Sequence, residues 1–211
     1  MKAETVLSFV VGFLAIAGVG GSIFFLFSGG ANEGFEEYPI ITRSHVIPGA
    51  IYLALAPLQF SKSIRNRNRA YHRWAGRLLA SIAMVAGAGA LFLGVIIPYS
   101  GLPEQIVTGF FGCLFLFSTA KGFLSARVKQ FDAHREWMMR AFAIGLSIAT
   151  MRLIFVPILI IIGDPTRAEA ELYSIVSFTI AFILHSGFAE YWIRRTRVKQ
   201  EISPTSALST S

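Results

Sequence analysis

Residues 65–77 (RNRNRAYHRWAGR) and residues 127–140 (RVKQFDAHREWMMR) are two copies of one basic stretch that carries a histidine. A shift of 62 positions (134 − 72) places His72 on His134 and keeps three flanking basic residues aligned: Arg65 with Arg127, Arg67 with Lys129 and Arg73 with Arg135. The tryptophan and the last arginine realign only after one residue is inserted in the second copy. Each copy lies between two long apolar segments, so the pattern predicts a helical hairpin that occurs twice, joined each time by a basic turn.

The apolar segments are long enough to cross a membrane. The chain is 54% hydrophobic and 15% charged, and its mean hydropathy is +0.60, whereas charged residues make up about a quarter of an ordinary soluble domain. Apolar runs that reach or approach the roughly 20 residues of a transmembrane helix lie at about 5–28, 40–60, 74–98, 104–124, 137–163 and 170–193. These runs predict an all-α integral membrane protein with six transmembrane helices.

Six spans use most of the 211 residues, which leaves no room for a soluble domain. We therefore expect one six-helix transmembrane domain over residues 1–199, followed by a disordered polar tail over 200–211. The duplicated hairpins, at about 40–98 and 104–163, would form its core. The first run is longer than the 7–15 apolar residues of a signal peptide, so we expect it to be retained as a span.

The charges alternate in sign between successive loops. Lys and Arg concentrate at 62–77, at 121–140 and in the tail, whereas the opposite loops hold only two basic residues. The acidic residues of those opposite loops are Glu33, Glu36, Glu37, Glu104, Asp164, Glu169 and Glu171. This asymmetry follows the positive-inside rule, which places both termini and both basic stretches in the cytoplasm. The net charge of +7 thus reflects topology and attraction to anionic headgroups, and nucleic acid is not expected as a partner.

His72 and His134 become equivalent through the repeat. Two hairpins in the same membrane orientation are related by an axis along the membrane normal, so the two rings are expected to face each other near the cytoplasmic ends of spans 3 and 5. Two neutral imidazoles from two helices are what the iron of a b-type haem needs as axial ligands. Nearby arginines would neutralise the propionates, and a third histidine is an alternative ligand. The cofactor-binding candidates are His72, His134, His185, Arg73, Arg77, Arg135 and Arg140.

The same residues also fit less specific roles. Tryptophan and arginine at a helix start anchor the helix at headgroup depth, and two imidazoles can bind Zn or Cu instead of haem iron. No Cys, Met or carboxylate cluster joins the histidines, and the one cysteine, Cys113, lies inside the fourth span. The sequence has no nucleophile with a placed base, no P-loop and no zinc-protease pattern, so no catalytic residue is assigned and enzymatic activity is left open.

A second group of polar side chains lies in the outer half of the predicted bundle. His45 and Arg43 belong to span 2, and Arg152 lies at hydrocarbon depth in span 5. A buried arginine keeps its charge, so it needs a carboxylate, carbonyls, water or an anionic ligand close by. This group suits an anionic headgroup, a quinone carbonyl or a proton path. One histidine cannot form a pair, so a second bis-histidine haem is not expected there.

Span 3 carries a stripe of small residues, spaced 4-3-4-3-4: Gly76, Ala80, Ala83, Gly87, Ala90 and Gly94. Such a stripe predicts a central helix packed closely against a neighbour, because small side chains let backbones approach in lipid. A flat face of this kind can alternatively hold a porphyrin or quinone ring.

Four separated patches follow one another within about residues 40–160: His45 with the later APLQF, then HRWAGR, HREWMMR and Met151-Arg152-Leu153. Together they resemble a family of predicted bacterial membrane proteins defined only as domain of unknown function 2306. The resemblance implies a multi-helix inner-membrane protein and supplies no activity. More distantly, histidines at helix ends in a six-span bundle are similar to cytochrome b561-type electron carriers, from which this chain departs on the outer side, where the second ligand is missing.

Together these features predict a multi-pass protein of the bacterial inner (cytoplasmic) membrane. It would bind haem b or quinone between helices for electron transfer, with a membrane redox partner or a larger membrane complex. Two alternatives stay open. One is a non-catalytic scaffold or assembly factor whose basic stretches hold headgroups or partner subunits, and the other is a small transporter, suggested by the parallel repeats and by Arg152.

Overall fold

The structure is a computed structural model that describes residues 3–28 and 36–202. The regular structure of this part is helical. The helices of six residues or more are α1 (Ala3–Ser28), α2 (Pro39–Gln59), α3 (Lys62–Arg67), α4 (Arg69–Ile96), α5 (Gly101–Arg127), α6 (Phe131–Ile162) and α7 (Arg167–Ile202). The all-α prediction is confirmed, and the long helices coincide with the six apolar runs.

Five of the described helices, namely α1, α4, α5, α6 and α7, are long and apolar enough to cross a membrane. The prediction of membrane-spanning helices is confirmed for these five. Helix α2 is 21 residues long, but it falls outside this set because Arg43, Ser44 and His45 make its first half polar.

The long helices form a bundle in which most neighbours in sequence are also neighbours in space. Helix α2 packs against α1 and α4, α5 lies between α4 and α6, and α7 packs mainly against α6, which also contacts α1. The buried core includes Tyr52 of α2, Phe115 of α5 and Phe142 of α6. The Tyr52 ring meets the Phe115 ring edge-on at 5.8 Å, so α2 and α5 touch across the middle of the bundle.

The small-residue stripe of α4 packs against α5. A side chain at Gly87 would lie 2.6 Å from Leu116 and 2.8 Å from Phe115, and one at Gly94 would lie 2.4 Å from Thr108. The predicted close packing of this helix is therefore confirmed. At Gly87 and Gly94 the α5 side chains leave no space for the alternative, a porphyrin or quinone ring, and for the rest of the stripe that alternative stays a prediction.

The two basic stretches are mostly helical. The first contains the short helix α3 and the start of α4, whereas the second passes from the end of α5 into α6 through Val128, Lys129 and Gln130. The prediction of a basic turn was therefore too broad, and both histidines belong to the first turn of a long helix. We call the end of the bundle where α4 and α6 begin the basic end, and the opposite end the acidic end.

The predicted tail at 200–211 begins too early, because α7 continues to Ile202. Residues 203–211 lie outside the described part of the chain, as does Glu33 of the acidic loop.

Candidate functional site

His72 and His134 occupy the same position in their helices. Each is the fourth residue, in α4 and in α6 respectively. Each backbone N–H closes the first helical turn, at 3.1 Å from His72 to the Asn68 carbonyl and at 2.9 Å from His134 to the Gln130 carbonyl. The equivalence expected from the 62-residue shift is therefore present in the backbone.

The His134 ring is held by a main-chain carbonyl. Its Nδ1 lies 2.8 Å from the carbonyl oxygen of Gly122 in α5. A carbonyl can only accept, so Nδ1 carries the hydrogen, and in the neutral ring Nε2 is left as a bare lone pair. An imidazole fixed in this way through its other nitrogen is the usual arrangement of a histidine that ligates a metal.

The connection between α5 and α6 brings this carbonyl within reach of His134. The backbone N–H of Gln130 donates to the Ser125 carbonyl at 2.9 Å. Lys129 adopts a φ of 61°, and this backbone conformation reverses the chain within a few residues. A Cβ at Gly122 would lie 2.7 Å from Met138 Sδ. The absence of a side chain at Gly122 thus allows α5 to approach the start of α6 closely.

The His72 ring lies near His134 and is held differently. The two rings are close enough for a charge on one to act on the other. The His72 Nδ1 atom is buried without a hydrogen-bond partner among the described residues, and so is Oε1 of Gln59 at the end of α2. That Oε1 would lie 3.6 Å from a Cβ at Gly76, one turn after His72 on the same face of α4. Two unpaired polar atoms therefore belong to the part of the bundle around the first turns of α4.

An ion network fastens the second copy to α7. Glu136 is buried, with 8% of its surface exposed, and both of its oxygens accept hydrogen bonds from Arg197. Arg140 donates to Glu190 at 2.5 and 3.1 Å and lies 4.0 Å from Glu136. Sequence reasoning missed Glu136 and Glu190. The available signal was the inserted residue itself, because Glu136 stands between the histidine and the tryptophan in the second copy only.

The predicted propionate-binding arginines divide into two groups. Arg73 and Arg77 of α4 are exposed and Arg135 is partly buried, so all three stay candidates for binding an anionic group. Arg140 is paired with Glu190 and lies over the Trp137 ring at 4.5 Å. The role predicted for Arg140 was wrong because a partner 50 residues away, which local spacing does not reveal, already neutralises its charge.

His185 does not join the histidine pair. Its Nε2 lies 2.7 Å from Oγ1 of Thr150 in α6. Thr150 is 16 residues after His134 (150 − 134), which is about 24 Å along the helix at 1.5 Å per residue. The prediction of His185 as an alternative ligand is therefore corrected, because this ring is used to join α7 to the middle of α6.

The outer-half group is only partly assembled. His45 and Arg152 are close enough to interact electrostatically, whereas Arg43 is exposed. The His45 Nδ1 donates to the Ala86 carbonyl of α4 at 2.8 Å, and the Arg152 guanidinium donates to α1. The described contacts therefore do not join Arg43 to His45 and Arg152.

Within residues 3–28 and 36–202, no group of three or more His, Cys, Asp or Glu side chains is placed to hold a metal ion. A haem iron needs only two axial protein ligands, so His72 and His134 remain the relevant pair. Bare Zn, which usually takes at least three protein ligands, fits the described residues less well.

Residues 42–193 match the predicted membrane protein family DUF2306. The chain belongs to this family. No curated protein and no solved structure matches the chain. The match identifies a membrane protein and carries no activity, so the function rests on the geometry described above.

The DUF2306 match covers α2 from Thr42 through most of α7 and contains all four histidines and Arg152. Helix α1 precedes it, and Arg197 follows it. The DUF2306 region therefore includes the complete histidine pair, whereas some side chains that hold Arg152 and Glu136 lie outside the matched residues.

Proposed function

We propose that this protein is a membrane electron carrier that binds haem b between His72 and His134. The observation that carries the proposal is the placement of two histidines as the fourth residue of two helices that begin at the same end, one of them held so that Nε2 is free. Haem supplies one-electron redox chemistry when it is bound. The chain supplies two imidazoles at the starts of two bundle helices, and exposed arginines for the propionates.

The order of the helices supports a site between α4 and α6. Helix α5 packs against both of them, while α2 packs against α4 and also touches α6. Helices α4 and α6 therefore share two neighbours, and both begin at the basic end. Cofactor sites in helical bundles are commonly built from side chains of different helices.

The buried polar atoms beside the pair support the presence of a ligand. Buried polar groups normally have hydrogen-bond partners, and an exception calls for an explanation such as an absent ligand or water. The His72 Nδ1 and the Gln59 Oε1 are two such atoms. A bound ligand that forms a hydrogen bond with one or both of these atoms would satisfy them.

The proposal includes the topology of a six-span protein in the inner membrane of a bacterium, with both termini in the cytoplasm. Helix α2 would be the sixth crossing. It runs beside α4 from His45, which contacts Ala86 and Gly89, to Gln59, which lies beside Gly76. These 14 residues of α2 extend about 21 Å, which is most of the hydrocarbon thickness. The excess of Lys and Arg at the basic end supports its cytoplasmic location.

An absorption spectrum of the full-length protein tests the proposal. The protein is purified from cells supplied with haem precursor, and the Soret band of its reduced and oxidised forms is recorded. We expect a six-coordinate spectrum that is lost in His72→Ala and in His134→Ala. His185→Ala is the matched control, because His185 bonds to Thr150 and should leave the spectrum unchanged.

Two outcomes would contradict this assignment. One is the absence of a Soret band after haem supplementation, and the other is a band that survives the double substitution His72→Ala with His134→Ala. In the first case, titration with a short-chain quinone tests the other cofactor considered for this site. Quinone binding that is lost with the same two substitutions would retain the histidine site and replace its cofactor.

A scaffold function is the second candidate, because the segment with Arg65, Arg67 and Arg69 is exposed at the basic end. Such a surface attracts anionic headgroups or acidic segments of partner subunits. Neutralising these three arginines to Gln should then abolish binding to anionic vesicles or to partners, while the absorption spectrum stays unchanged. The two functions are therefore separable by measurement.

A further inference from the structure

Arg152 of α6 is held against α1, far from either end of the two helices. Its NH1 donates to the Gly18 carbonyl at 3.0 Å and to Ser22 Oγ at 3.2 Å. Both Gly18 and Arg152 lie ten residues before the end of their helix, which is about 15 Å along the helix axis. A charged side chain at this depth is costly unless partners surround it, so it is a candidate for a functional site.

The two edges of the Arg152 guanidinium have different surroundings. A Cβ at Gly21 would lie 2.8 Å from Arg152 Cδ and 3.0 Å from NH1, so the edge that carries these two atoms faces α1. The opposite edge carries the N–H of Nε and one N–H of NH2, which form a rigid fork of two parallel donors. Within the described residues neither nitrogen forms a hydrogen bond, and neither is among the fully buried atoms that lack a partner. This fork is therefore unpaired and still accessible.

Two other arginines of the chain use the same fork to bind a carboxylate. Arg140 donates from Nε and NH2 to the two oxygens of Glu190, and Arg197 donates from Nε and NH2 to the two oxygens of Glu136. Bidentate pairs of this kind combine charge with matching geometry. Arg152 presents the same fork, but no acidic side chain among the described residues forms an ion pair with it.

The charge of Arg152 limits what can bind to the free fork. Arginine stays charged in proteins, and the bonds through NH1 reach neutral acceptors only. A carboxylate brings one negative charge and two acceptor atoms, so it neutralises the guanidinium and satisfies both free donors. Chloride lacks the paired acceptors, and a doubly charged phosphate would leave one charge uncompensated away from water.

We propose that Arg152 binds the carboxylate group of a ligand through Nε and NH2. The carboxylate belongs either to a small water-soluble acid or to a lipid, and both sources present the same group to the guanidinium. Acetate and oleate represent the two sources in the experiment below. The site is separate from the histidine pair, because Arg152 lies 18 residues after His134 (152 − 134) in α6, about 27 Å along the helix.

Thermal unfolding of the full-length protein in phosphatidylcholine nanodiscs, titrated with each acid, tests this inference. A ligand that binds only the folded protein raises the unfolding temperature as its concentration increases. We expect a saturable rise with acetate, with oleate or with both. The methyl esters, which lack the charge, and chloride at equal ionic strength should not produce it. A rise with acetate identifies a small acid as a source, and a rise with oleate alone identifies a lipid.

Arg152→Lys is the variant that isolates the fork, because lysine keeps the positive charge and lacks the planar pair of donors. It should weaken binding of the carboxylate about tenfold or more, as expected for the loss of charge-assisted hydrogen bonds. Arg152→Gln, which also removes the charge, should weaken binding at least as much. Arg43→Gln is the matched control, because Arg43 is exposed, and should leave binding unchanged.

Three outcomes would overturn the proposal. One is the absence of a saturable rise with either acid in the unmodified protein, a result that does not depend on how well the variants fold. The second is stabilisation by chloride as strong as by the carboxylates, and the third is carboxylate binding that survives both Arg152→Lys and Arg152→Gln. His72→Ala and His134→Ala should retain the binding, which makes the result independent of the haem proposal.

Discussion

The two histidine-bearing helix starts share one backbone geometry and differ in what surrounds it. His72 and His134 each occupy the fourth position of a long helix. His134 is tied to the Gly122 carbonyl and stands beside an ion network, whereas the His72 Nδ1 has no partner in the described structure. The duplication therefore preserves the position of the imidazole while one copy is held rigidly and the other is left free to adjust to a ligand.

The inserted Glu136 explains much of this difference. One extra residue rotates everything after it by about 100° around the helix axis, so similar residues point in different directions. Trp74 of α4 is 63% exposed, whereas Trp137 of α6 packs edge-on against Phe117 at 5.3 Å. The rotation turns the arginine and glutamate of the second copy toward α7, where partners are available.

Removing the ion network should have the largest effect on stability. In Glu136→Ala, Arg140 and Arg197 lose their shared carboxylate. Loss of one partner of a fully buried pair costs about 3–5 kcal/mol; because Arg197 is 56% exposed, we expect about 2 kcal/mol. Thermal unfolding of the protein in detergent measures this change.

Trp74→Ala is the control for Glu136→Ala, since Trp74 has the corresponding helical position in α4. An exposed side chain away from a buried network should cost less than about 1 kcal/mol. Equal losses of stability in the two variants would show that the network does not hold the second copy more firmly than the first.

Substituting glycine by alanine should affect the helix contact at Gly122 more than the helix contact at Gly76. In Gly122→Ala the new Cβ meets Met138 Sδ at 2.7 Å and Trp137 Cβ at 3.3 Å, so we expect a loss of about 1–2 kcal/mol. In Gly76→Ala the nearest atom is Gln59 Oε1 at 3.6 Å, which is ordinary contact. Gly76→Ala should therefore be neutral or slightly stabilising, because alanine favours helix.

Thermal unfolding of both glycine variants provides the comparison. An unchanged melting temperature in Gly122→Ala would mean that Met138 moves aside without cost, and that the close approach of α5 is not what fixes His134.

Hydropathy and the 62-residue shift were sufficient to predict the helices and the equivalence of the two histidines. Both features depend on local pattern, since a span needs only a run of apolar residues and a repeat needs only internal similarity. The small-residue stripe of α4 also predicted its close packing, because side-chain volume limits how near two backbones approach. The resemblance to the family rested on short motifs of the same local kind.

Partners that are distant in sequence were beyond such reasoning. His185 was placed by depth alone, and depth does not determine which neighbour a helix face meets; its ring turned toward Thr150. Arg140 was grouped with the cofactor site because Glu190 lies 50 residues away. The hydrogen bond from His134 to the main-chain carbonyl of Gly122 could not be predicted from residue types, because every residue has a carbonyl.

The histidine substitutions should differ modestly in stability when no haem is added. His134→Ala removes a hydrogen bond of typical worth, about 1 kcal/mol, whereas His72→Ala removes no hydrogen bond of the ring Nδ1. We therefore expect His134→Ala to be the less stable variant by about that amount in thermal unfolding. After haem supplementation the two variants should lose the spectrum equally, because a six-coordinate iron needs both rings. A larger loss of stability in His72→Ala would contradict the division into a fixed and an adjustable histidine.

The smallest expected effect concerns Gln59, whose unpaired Oε1 lies beside Gly76, one helical turn after the first histidine. Gln59→Leu removes a buried acceptor without a partner, so stability should stay the same or rise by less than about 1 kcal/mol. The same substitution at Gln105, whose Nε2 donates to the Val95 carbonyl at 2.8 Å, should instead lower stability by about 1 kcal/mol. If Gln59→Leu is as costly as Gln105→Leu, the Gln59 side chain has a hydrogen-bond partner in solution and is no evidence for a ligand beside the first copy. If it is neutral without haem but weakens haem retention, the unpaired amide belongs to the cofactor site, and the adjustable copy is the one that completes it.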